Sequence, residues 1–112
     1  MPIVAHNNLP TFEKLRKEGL LILEPTRALT QHIRELHIGL LNMMPDAALQ
    51  ATELQFLRLI GDSNPIAQFY VHPFTLDSLP RGEQARAHID QYYETFDQIR
   101  AQGLDALIIT GA

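Results

Sequence analysis

Apolar residues run almost without interruption from residue 36 to residue 43, in the stretch LHIGLLNM. Such a run is typical of a strand that is buried on both faces of a parallel sheet. Two further apolar runs predict strands at residues 66–71 and 106–110. Between these runs the apolar residues recur at helical spacing, so the predicted order is strand, helix, strand, helix, strand.

The first predicted helix follows Pro45. Asp46 is suited to cap its N-terminus, and Gly61 is suited to the left-handed position after its last turn. One face of this helix is predicted to be apolar, with Glu53 and Arg58 outside it. The residues of that face are Leu49, Thr52, Phe56, Leu57 and Ile60.

The second predicted helix spans residues 83–102 and ends at Gly103. Its polar side carries Asp90, Glu94 and Asp97, which we interpret as a solvated face. Its apolar stripe comprises Ile89, Tyr92, Tyr93, Phe96 and Ile99.

Residues 1–35 are interpreted as an N-terminal lead-in segment, and residues 36–112 as the first βαβαβ part of a domain that continues further. Within the lead-in, Thr11 is predicted to cap a short helix that Gly19 closes. Residues 26–34 are predicted to form a polar loop or a helical turn.

These elements predict an α/β protein with a doubly wound parallel sheet. In the flavodoxin-like order the first of the three strands lies between the other two, which brings the loops at residues 42–45 and 110–112 to one crevice. Active sites of such sheets are built beyond the carboxyl ends of the strands. The sequence therefore stops where the chemistry is expected to begin, and we expect it to be the N-terminal piece of an enzyme.

Composition narrows the functional classes. The net charge of −4 over 112 residues argues against a nucleic-acid-binding surface. The sequence has no cysteine, which excludes a disulfide framework, a thiolate metal site and a cysteine nucleophile within this stretch. No apolar run approaches the roughly 20 residues that span a bilayer, and the N-terminus lacks a signal-peptide pattern. We expect a cytoplasmic protein with neither nucleic-acid nor membrane partners.

The polar residues favour no common cofactor. The histidines show no metal-ligand spacing, and no metal site is predicted. They are His6, His32, His37, His72 and His88. His37 is interpreted as a hydrogen-bonded core residue. No glycine-rich loop follows the first strand, which argues against dinucleotide and phosphate-loop sites. A flavodoxin-type site would need hydroxyl residues and glycines in that loop, and a phosphoacceptor receiver domain would need an aspartate where the chain has Thr110.

The strand-end loops carry the candidate site residues, each open to two interpretations. Asn42 is either a buried amide satisfied by neighbouring backbone or a group that faces the crevice. Gly111 is either a turn residue or a residue whose missing side chain lets backbone N–H groups approach an oxyanion. Met43 and Met44 are interpreted as packing residues.

Short strings along the whole chain match one known family in order and spacing. They are MPI at 1–3, LP at 9–10, LRKE at 15–18, RA at 27–28, QHIR at 31–34, LNMMP at 41–45, TE at 52–53, QFLRL at 55–59, Tyr93, TFD at 95–97 and LIITGA at 107–112. Each string alone is weak, but the ordered set is specific. Together they resemble the homoserine O-succinyltransferases and their O-acetyltransferase relatives, and cover roughly the first third of such a protein.

The resemblance implies a class I glutamine-amidotransferase-like fold. It implies transfer of a succinyl or acetyl group from acyl-CoA to the hydroxyl of homoserine, for methionine synthesis. Some relatives acylate serine instead, for cysteine synthesis. The implied mechanism uses a cysteine thioester, a His–Glu pair and two backbone N–H groups at the oxyanion.

The resemblance places the catalytic cysteine, histidine and glutamate beyond Ala112, so no catalytic residue is expected within this chain. The substrate-binding positions carried over are Asn42, Gly111 and Ala112. Acyl-CoA is then a co-substrate and no cofactor is implied. A homodimer is common in the family.

The chain departs from some members directly after Pro45. Those members have lysines there, for which a role in the site has been suggested, whereas this chain has Asp46 and Ala47 and a two-residue insertion before Thr52. The residues also leave open a non-catalytic flavodoxin-like binding module. Such a module would fold alone, whereas a piece of an enzyme would expose apolar edges.

Overall fold

The structure is a computed structural model that describes residues 3–25, 35–63 and 68–111. Its strands are β1 (Ile3–Val4), β2 (Ile22–Leu23), β3 (Glu35–Leu41), β4 (Gln68–Phe74) and β5 (Ala106–Ile109). The described strands form one sheet in the order β2-β1-β4-β3-β5, and every pair is parallel. Because β3 lies between β4 and β5, the predicted α/β fold and its flavodoxin-like strand order are confirmed.

Helices connect strands that follow one another along the chain, because parallel strands need crossover connections. They are α1 (Thr11–Lys17), α2 (Leu49–Gly61), α3 (Glu83–Tyr92) and α4 (Phe96–Gln102), with a 3₁₀ turn at Asp46–Ala48 before α2. The prediction for residues 26–34, and His32 with it, falls outside the described residues.

The two faces of the sheet are covered by different helices. Successive strand residues point to opposite faces, and Ile38 and Val71 pack in the main core with side chains of α1, α2 and α3. On the opposite face, Gln102 of α4 contacts His37 and His72. The sheet is therefore doubly wound, as predicted.

The predicted helix over residues 83–102 is two helices. Tyr93 adopts an extended conformation, and the Glu94 N–H donates to the Pro73 carbonyl at 3.0 Å. Thr95 then begins α4 with a capping box that involves Gln98. The Thr-x-x-Gln string was the available signal for this break. Gly103 ends α4 with φ of +81°, close to its predicted role.

β4 continues to Phe74, beyond its predicted end at Val71, and includes Pro73. The N–H and carbonyl of an extended residue point to the same side of a strand, and the Pro73 carbonyl accepts from Glu94. A backbone N–H at Pro73 would therefore point away from β3, toward the side on which β1 no longer pairs with β4. Because of this direction, the proline costs no hydrogen bond to β3.

Gly61 is the last residue of α2 and not a left-handed position after it, contrary to prediction, since its φ is not positive. A side chain there would approach Leu20 Cδ2 to 2.6 Å and Ile3 Cδ1 to 3.1 Å. The glycine permits close packing of α2 against the N-terminal residues.

The N-terminal segment contributes two strands, β1 and β2, to the sheet. Ile3 is the register partner of both Ile22 and Phe69, so β1 joins β2 to β4. Strands of two residues carry no periodicity, and the sequence pattern did not predict them. The division at residue 35 remains a prediction.

β5 lies at an edge of the sheet and exposes apolar side chains. Leu107 is 50% exposed and Ile109 is 58% exposed. Among the described residues, none of the helices has the length and apolar character that a membrane span requires.

Candidate functional site

The loops after β3 and β5 are joined at the carboxyl edge of the sheet. Leu41 and Ile109 are register partners at the strand ends, and the Thr110 N–H donates to the Leu41 carbonyl at 3.1 Å. The Met43 N–H donates to the Thr110 hydroxyl at 2.8 Å, and this hydroxyl donates to the Gly111 carbonyl at 3.0 Å. The two loops therefore border one crevice at the topological switch point, as the predicted strand order requires.

Asn42 is fully buried where β3 ends. Its amide nitrogen donates to the Leu49 carbonyl at 2.9 Å and to the Tyr93 hydroxyl at 3.1 Å. Its amide oxygen accepts from the Met44 N–H at 3.3 Å. The amide is thus satisfied within the protein, as in the first of the two interpretations, and it fixes the loop after β3.

Gly111 is exposed, and a Cβ built there would meet no heavy atom of the described residues within 4 Å. The described part of the chain thus gives no steric reason for a glycine. Its predicted contact with substrate, through a backbone N–H at an oxyanion, stays a prediction. Ala112 lies outside the described residues.

Arg81, in the loop before α3, holds the loop after β3. Its side chain is 2% exposed. Nη1 donates to the Met44 carbonyl at 2.5 Å and to the Asp46 carboxylate at 3.2 Å. Nη2 donates to the Asn42 carbonyl at 3.4 Å and to the Thr75 hydroxyl at 3.3 Å. A guanidinium suits this task because its donors diverge in a rigid plane.

Asp46 does not cap α2, contrary to prediction, because the 3₁₀ turn separates it from that helix and Ala48 occupies the capping position. Its carboxylate instead accepts from the Gly82 N–H at 2.6 Å, at the start of α3. This hydrogen bond, and then the contact with Arg81, lower the pKa of Asp46. The ionised carboxylate therefore joins the loop after β3 to the N-terminus of α3.

A buried polar network lies behind Asn42. Glu53 of α2 is fully buried, and its carboxylate lies 3.1 Å from Nε2 of His88 in α3. It also accepts from the Thr11 hydroxyl. Burial raises the pKa of the Tyr93 hydroxyl, and the charge of Glu53 and a hydrogen bond to it raise the pKa further. Tyr93 therefore stays neutral, donates to Glu53 and accepts from Asn42.

Two predictions fail in this network. Glu53 was placed off the buried face of α2, yet it lies four residues from both Leu49 and Leu57 and so shares their face. That spacing was the available signal. Thr11 was predicted to cap α1, but Pro10 occupies the capping position and the threonine hydroxyl reaches Glu53.

The histidine cluster, comprising His6, His37, His72, Glu94 and Gln102, lies on the α4 side of the sheet. His72 Nδ1 is 2.6 Å from Glu94 Oε2, and His72 Nε2 is 2.8 Å from His37 Nδ1. The Gln102 amide is 2.9 Å from His72 Nε2, and the His6 ring lies edge-on to His72 with centroids 4.7 Å apart. Burial lowers the pKa of His6.

The sequence did not predict this cluster. Glu94 was assigned to a solvated helix face, but the chain leaves α3 at Tyr93 and Glu94 turns toward β4. The spacing of the histidines along the chain hides their proximity. The pairing of Gly39 with His72 and of His37 with Tyr70 places both histidines on one face of neighbouring strands.

Met43 and Met44 line a surface cavity and are both partly exposed. The cavity has a volume of about 480 Å³, and Leu79 and Arg81 also line it. Both methionines offer apolar surface beside the crevice, and their interpretation as packing residues stays a prediction.

Comparison with known proteins decides the family. A family model described as homoserine O-succinyltransferase matches residues 2–112. The chain belongs to the homoserine O-succinyltransferase family. This confirms the resemblance that the ordered strings indicate.

Relatives in this family match the chain over its whole length. It is 76% identical over 112 residues to a homoserine O-succinyltransferase of Allochromatium vinosum, of which it covers 31%. It is 71% identical over 112 residues to one of Thiobacillus denitrificans, of which it covers 32%. A third, of Thioalkalivibrio nitratireducens, is 70% identical over 112 residues and is covered to 32%. The chain spans about a third of the length of these relatives.

Asp46 lies at a position where this chain differs from some members of the family. The resemblance puts a lysine after the Met-Pro pair in some members, and this member has an aspartate there. The structure shows the aspartate bound to Gly82 and Arg81. At this position the chain thus uses an anion to fix two loops.

Proposed function

We propose that the full-length protein containing this chain transfers a succinyl group from succinyl-CoA to the side-chain hydroxyl of homoserine, in methionine synthesis. The observation that carries this proposal is the family match over residues 2–112. The three relatives described above are named homoserine O-succinyltransferases, which favours succinyl over acetyl as the donor group and homoserine over serine as the acceptor.

The proposed chemistry has two half-reactions. A cysteine thiolate outside this chain attacks the thioester carbonyl of succinyl-CoA, a new carbon–sulfur bond forms, and coenzyme A leaves as its thiolate. A histidine of a His–Glu pair then takes the proton of the homoserine hydroxyl as the oxygen attacks the enzyme thioester. The O-succinyl ester forms, and the cysteine thiolate is regenerated.

This chain would supply one wall of the site. The loops after β3 and β5 border the crevice and are joined through Met43 and Thr110. We propose that Gly111 and Ala112 flank the acyl group, and that Asn42 acts by holding the Met44 N–H, because its own amide is satisfied within the protein. A displacement of about 1 Å at a reacting group can cost roughly 100-fold in rate.

A four-way assay of the full-length protein tests the substrates. Succinyl-CoA and acetyl-CoA are each supplied with homoserine or with serine, and kcat/KM is measured for each pair. We expect the largest value for succinyl-CoA with homoserine. A larger value with acetyl-CoA would overturn the proposed donor, and a larger value with serine would overturn the proposed acceptor.

Labelling tests the thioester separately. The protein is incubated with succinyl-CoA labelled in its succinyl group and without acceptor, then digested and analysed by mass spectrometry. We expect the label on one cysteine peptide, released by hydroxylamine or by homoserine. Turnover without a labelled cysteine would refute the covalent intermediate and leave the substrates standing.

Oligomeric state and location are further proposals that follow from the family resemblance. We propose a cytoplasmic homodimer, to be checked by analytical ultracentrifugation of the full-length protein and by cell fractionation. A monomer at micromolar concentration would refute the dimer.

A further inference from the structure

The histidine cluster carries a donor set that the proposed transfer does not use. One ring nitrogen of His6, one of His72 and a carboxylate oxygen of Glu94 all lie within 4.8 Å of one another. Two imidazoles and one carboxylate form a set that binds zinc and related transition metals in proteins. We propose that His6, His72 and Glu94 bind a divalent transition metal of the zinc class.

The distances suit such an ion after small side-chain movements. Tetrahedral bonds of about 2.0–2.1 Å place ligand atoms about 3.4 Å apart. His72 Nδ1 and Glu94 Oε2, at 2.6 Å, would separate by about 0.8 Å. Two ligand atoms that are 4.8 Å apart, the upper limit for the set, would need to move about 1.4 Å closer together. Side-chain rotations reach both changes without moving the strands.

His72 has the second contact expected of a histidine ligand. A ligating imidazole usually donates its other ring N–H to a nearby acceptor, which fixes the ring. His72 turns Nδ1 toward Glu94 and Nε2 toward His37 Nδ1, at 2.8 Å. With the proton on Nε2, His72 donates to His37 and offers the Nδ1 lone pair to the metal. The Gln102 amide, 2.9 Å from Nε2, then turns its oxygen and not its nitrogen toward that proton.

His6 offers a free nitrogen. Its Nδ1 lies 3.3 Å from the Val4 carbonyl. Its Nε2 is buried and has no hydrogen-bond partner within residues 3–25, 35–63 and 68–111. A buried polar atom without a partner is costly in a folded protein, and a bound metal would satisfy it.

Access is provided on one side. The His72 side chain is 4% exposed and that of Glu94 is 26% exposed. An ion can therefore enter past the carboxylate, and a water molecule can complete the coordination there. His6 follows β1, His72 lies within β4, and Glu94 lies between α3 and α4. A bound metal would therefore join three separate parts of the fold and stabilise the folded state.

Metal titration of the full-length protein tests this site. The protein is stripped with a chelator and titrated with Zn²⁺ by calorimetry and with Co²⁺ by visible absorption. We expect one ion per chain at this site and the intense absorption bands of tetrahedral Co²⁺. Glu94→Gln should weaken binding at least about tenfold. Glu24→Gln makes the same chemical change at an exposed carboxylate that pairs with Arg16, and should bind as the wild type does.

Thermal unfolding gives a second measurement that is independent of enzymatic activity. Zn²⁺ should raise the unfolding temperature of the wild type and of Glu24→Gln, and should leave that of Glu94→Gln unchanged. If Glu94→Gln does not fold, His6→Asn is judged by the same criteria. No binding by the wild type, or equal binding by the cluster variants, would overturn the proposal.

Discussion

The Glu53 carboxylate lies 3.1 Å from Nε2 of His88, and their side chains are 1% and 7% exposed. A buried carboxylate is costly unless partners satisfy it. Here Thr11 from α1 and Tyr93 after α3 supply further hydrogen bonds. The pair therefore joins α1, α2 and α3 behind the loop that follows β3.

Removing the Glu53 carboxylate should strongly destabilise the protein. Glu53→Ala leaves His88 and Thr11 buried without their acceptor, and should lower the free energy of unfolding by about 3–5 kcal/mol. Glu53→Gln keeps the shape and one acceptor oxygen, and should cost about 1–3 kcal/mol. Urea denaturation of the full-length protein measures both variants.

Glu13→Gln is the matched control for these variants. Glu13 is exposed and pairs with Arg16 on the surface of α1, so this change should alter the free energy of unfolding by less than about 0.5 kcal/mol. An effect of Glu53→Ala as small as that of the control would show that the buried pair does not hold the helices together.

The hydroxyl of Thr110 should matter for activity. Thr110→Val leaves the Met43 N–H without its acceptor and so removes one of the hydrogen bonds that join the two loops at the crevice. The hydrogen bond from the Thr110 N–H to the Leu41 carbonyl remains. We expect kcat/KM for acyl transfer to fall by up to about 100-fold, because the loops would shift relative to each other. Thr110→Ser keeps the hydroxyl and should act nearly as the wild type. Equal loss in both variants would contradict a role for this hydrogen bond.

The sequence predicts the central architecture because its signals there are local. The apolar run at residues 36–43 identifies β3, and helical spacing after it identifies α2. Strand order follows from fold rules, and it brings the loops at residues 42–45 and 110–112 to one crevice.

The polar contacts escape sequence analysis because they depend on strand register and on where helices break. His6, His72 and Glu94 are far apart in the chain and meet across three elements. The burial of Glu53 escapes sequence analysis for a different reason. A charged residue predicts an exposed position, although the spacing of four residues from Leu49 and Leu57 places Glu53 on the buried face of α2. Patterns along the chain cannot show that a buried charge has found partners from other helices.

The stabilising effect of Asp46 should depend on pH. The Gly82 N–H, and then Arg81, lower the pKa of Asp46 below its ordinary 3.8. The contribution of such a group is complete above the ordinary value and is lost as the pH falls through the lowered pKa of the folded state. Asp46→Asn should therefore be less stable than the wild type at neutral pH, with the difference closing below about pH 4.

Chemical denaturation across the pH range measures this difference. Asp77→Asn removes the same charge at an exposed position in the loop after β4 and serves as the control for net charge. A gap between Asp46→Asn and the wild type that stays constant into acid would refute the assignment.

Gly39, at the centre of β3, should not tolerate a side chain. A Cβ there would overlap Leu104 Cδ1 and lie 3.3 Å from both Leu107 Cδ1 and Phe74 Cε1. Gly39→Ala should lower the free energy of unfolding by about 1–3 kcal/mol through overpacking. Gly111→Ala adds a Cβ that has open space around it among the described residues. This substitution should change the free energy of unfolding by less than about 0.5 kcal/mol. Equal effects of the two substitutions would contradict the described packing of β5 against β3.

Arg81 should be irreplaceable by lysine. Its guanidinium donates to two backbone carbonyls, to the Asp46 carboxylate and to the Thr75 hydroxyl, with the side chain 2% exposed. A single ammonium group keeps the charge but cannot reach acceptors that diverge in a plane. Arg81→Lys should therefore cost about 1–3 kcal/mol of stability and lower kcat/KM, because the loop after β3 is released. Arg100→Lys makes the same exchange on the exposed surface of α4 and should change neither quantity appreciably. If the two lysine variants unfold at the same denaturant concentration and turn over equally fast, Arg81 contributes only charge, and the loop is held by Asn42 and Thr110 without it.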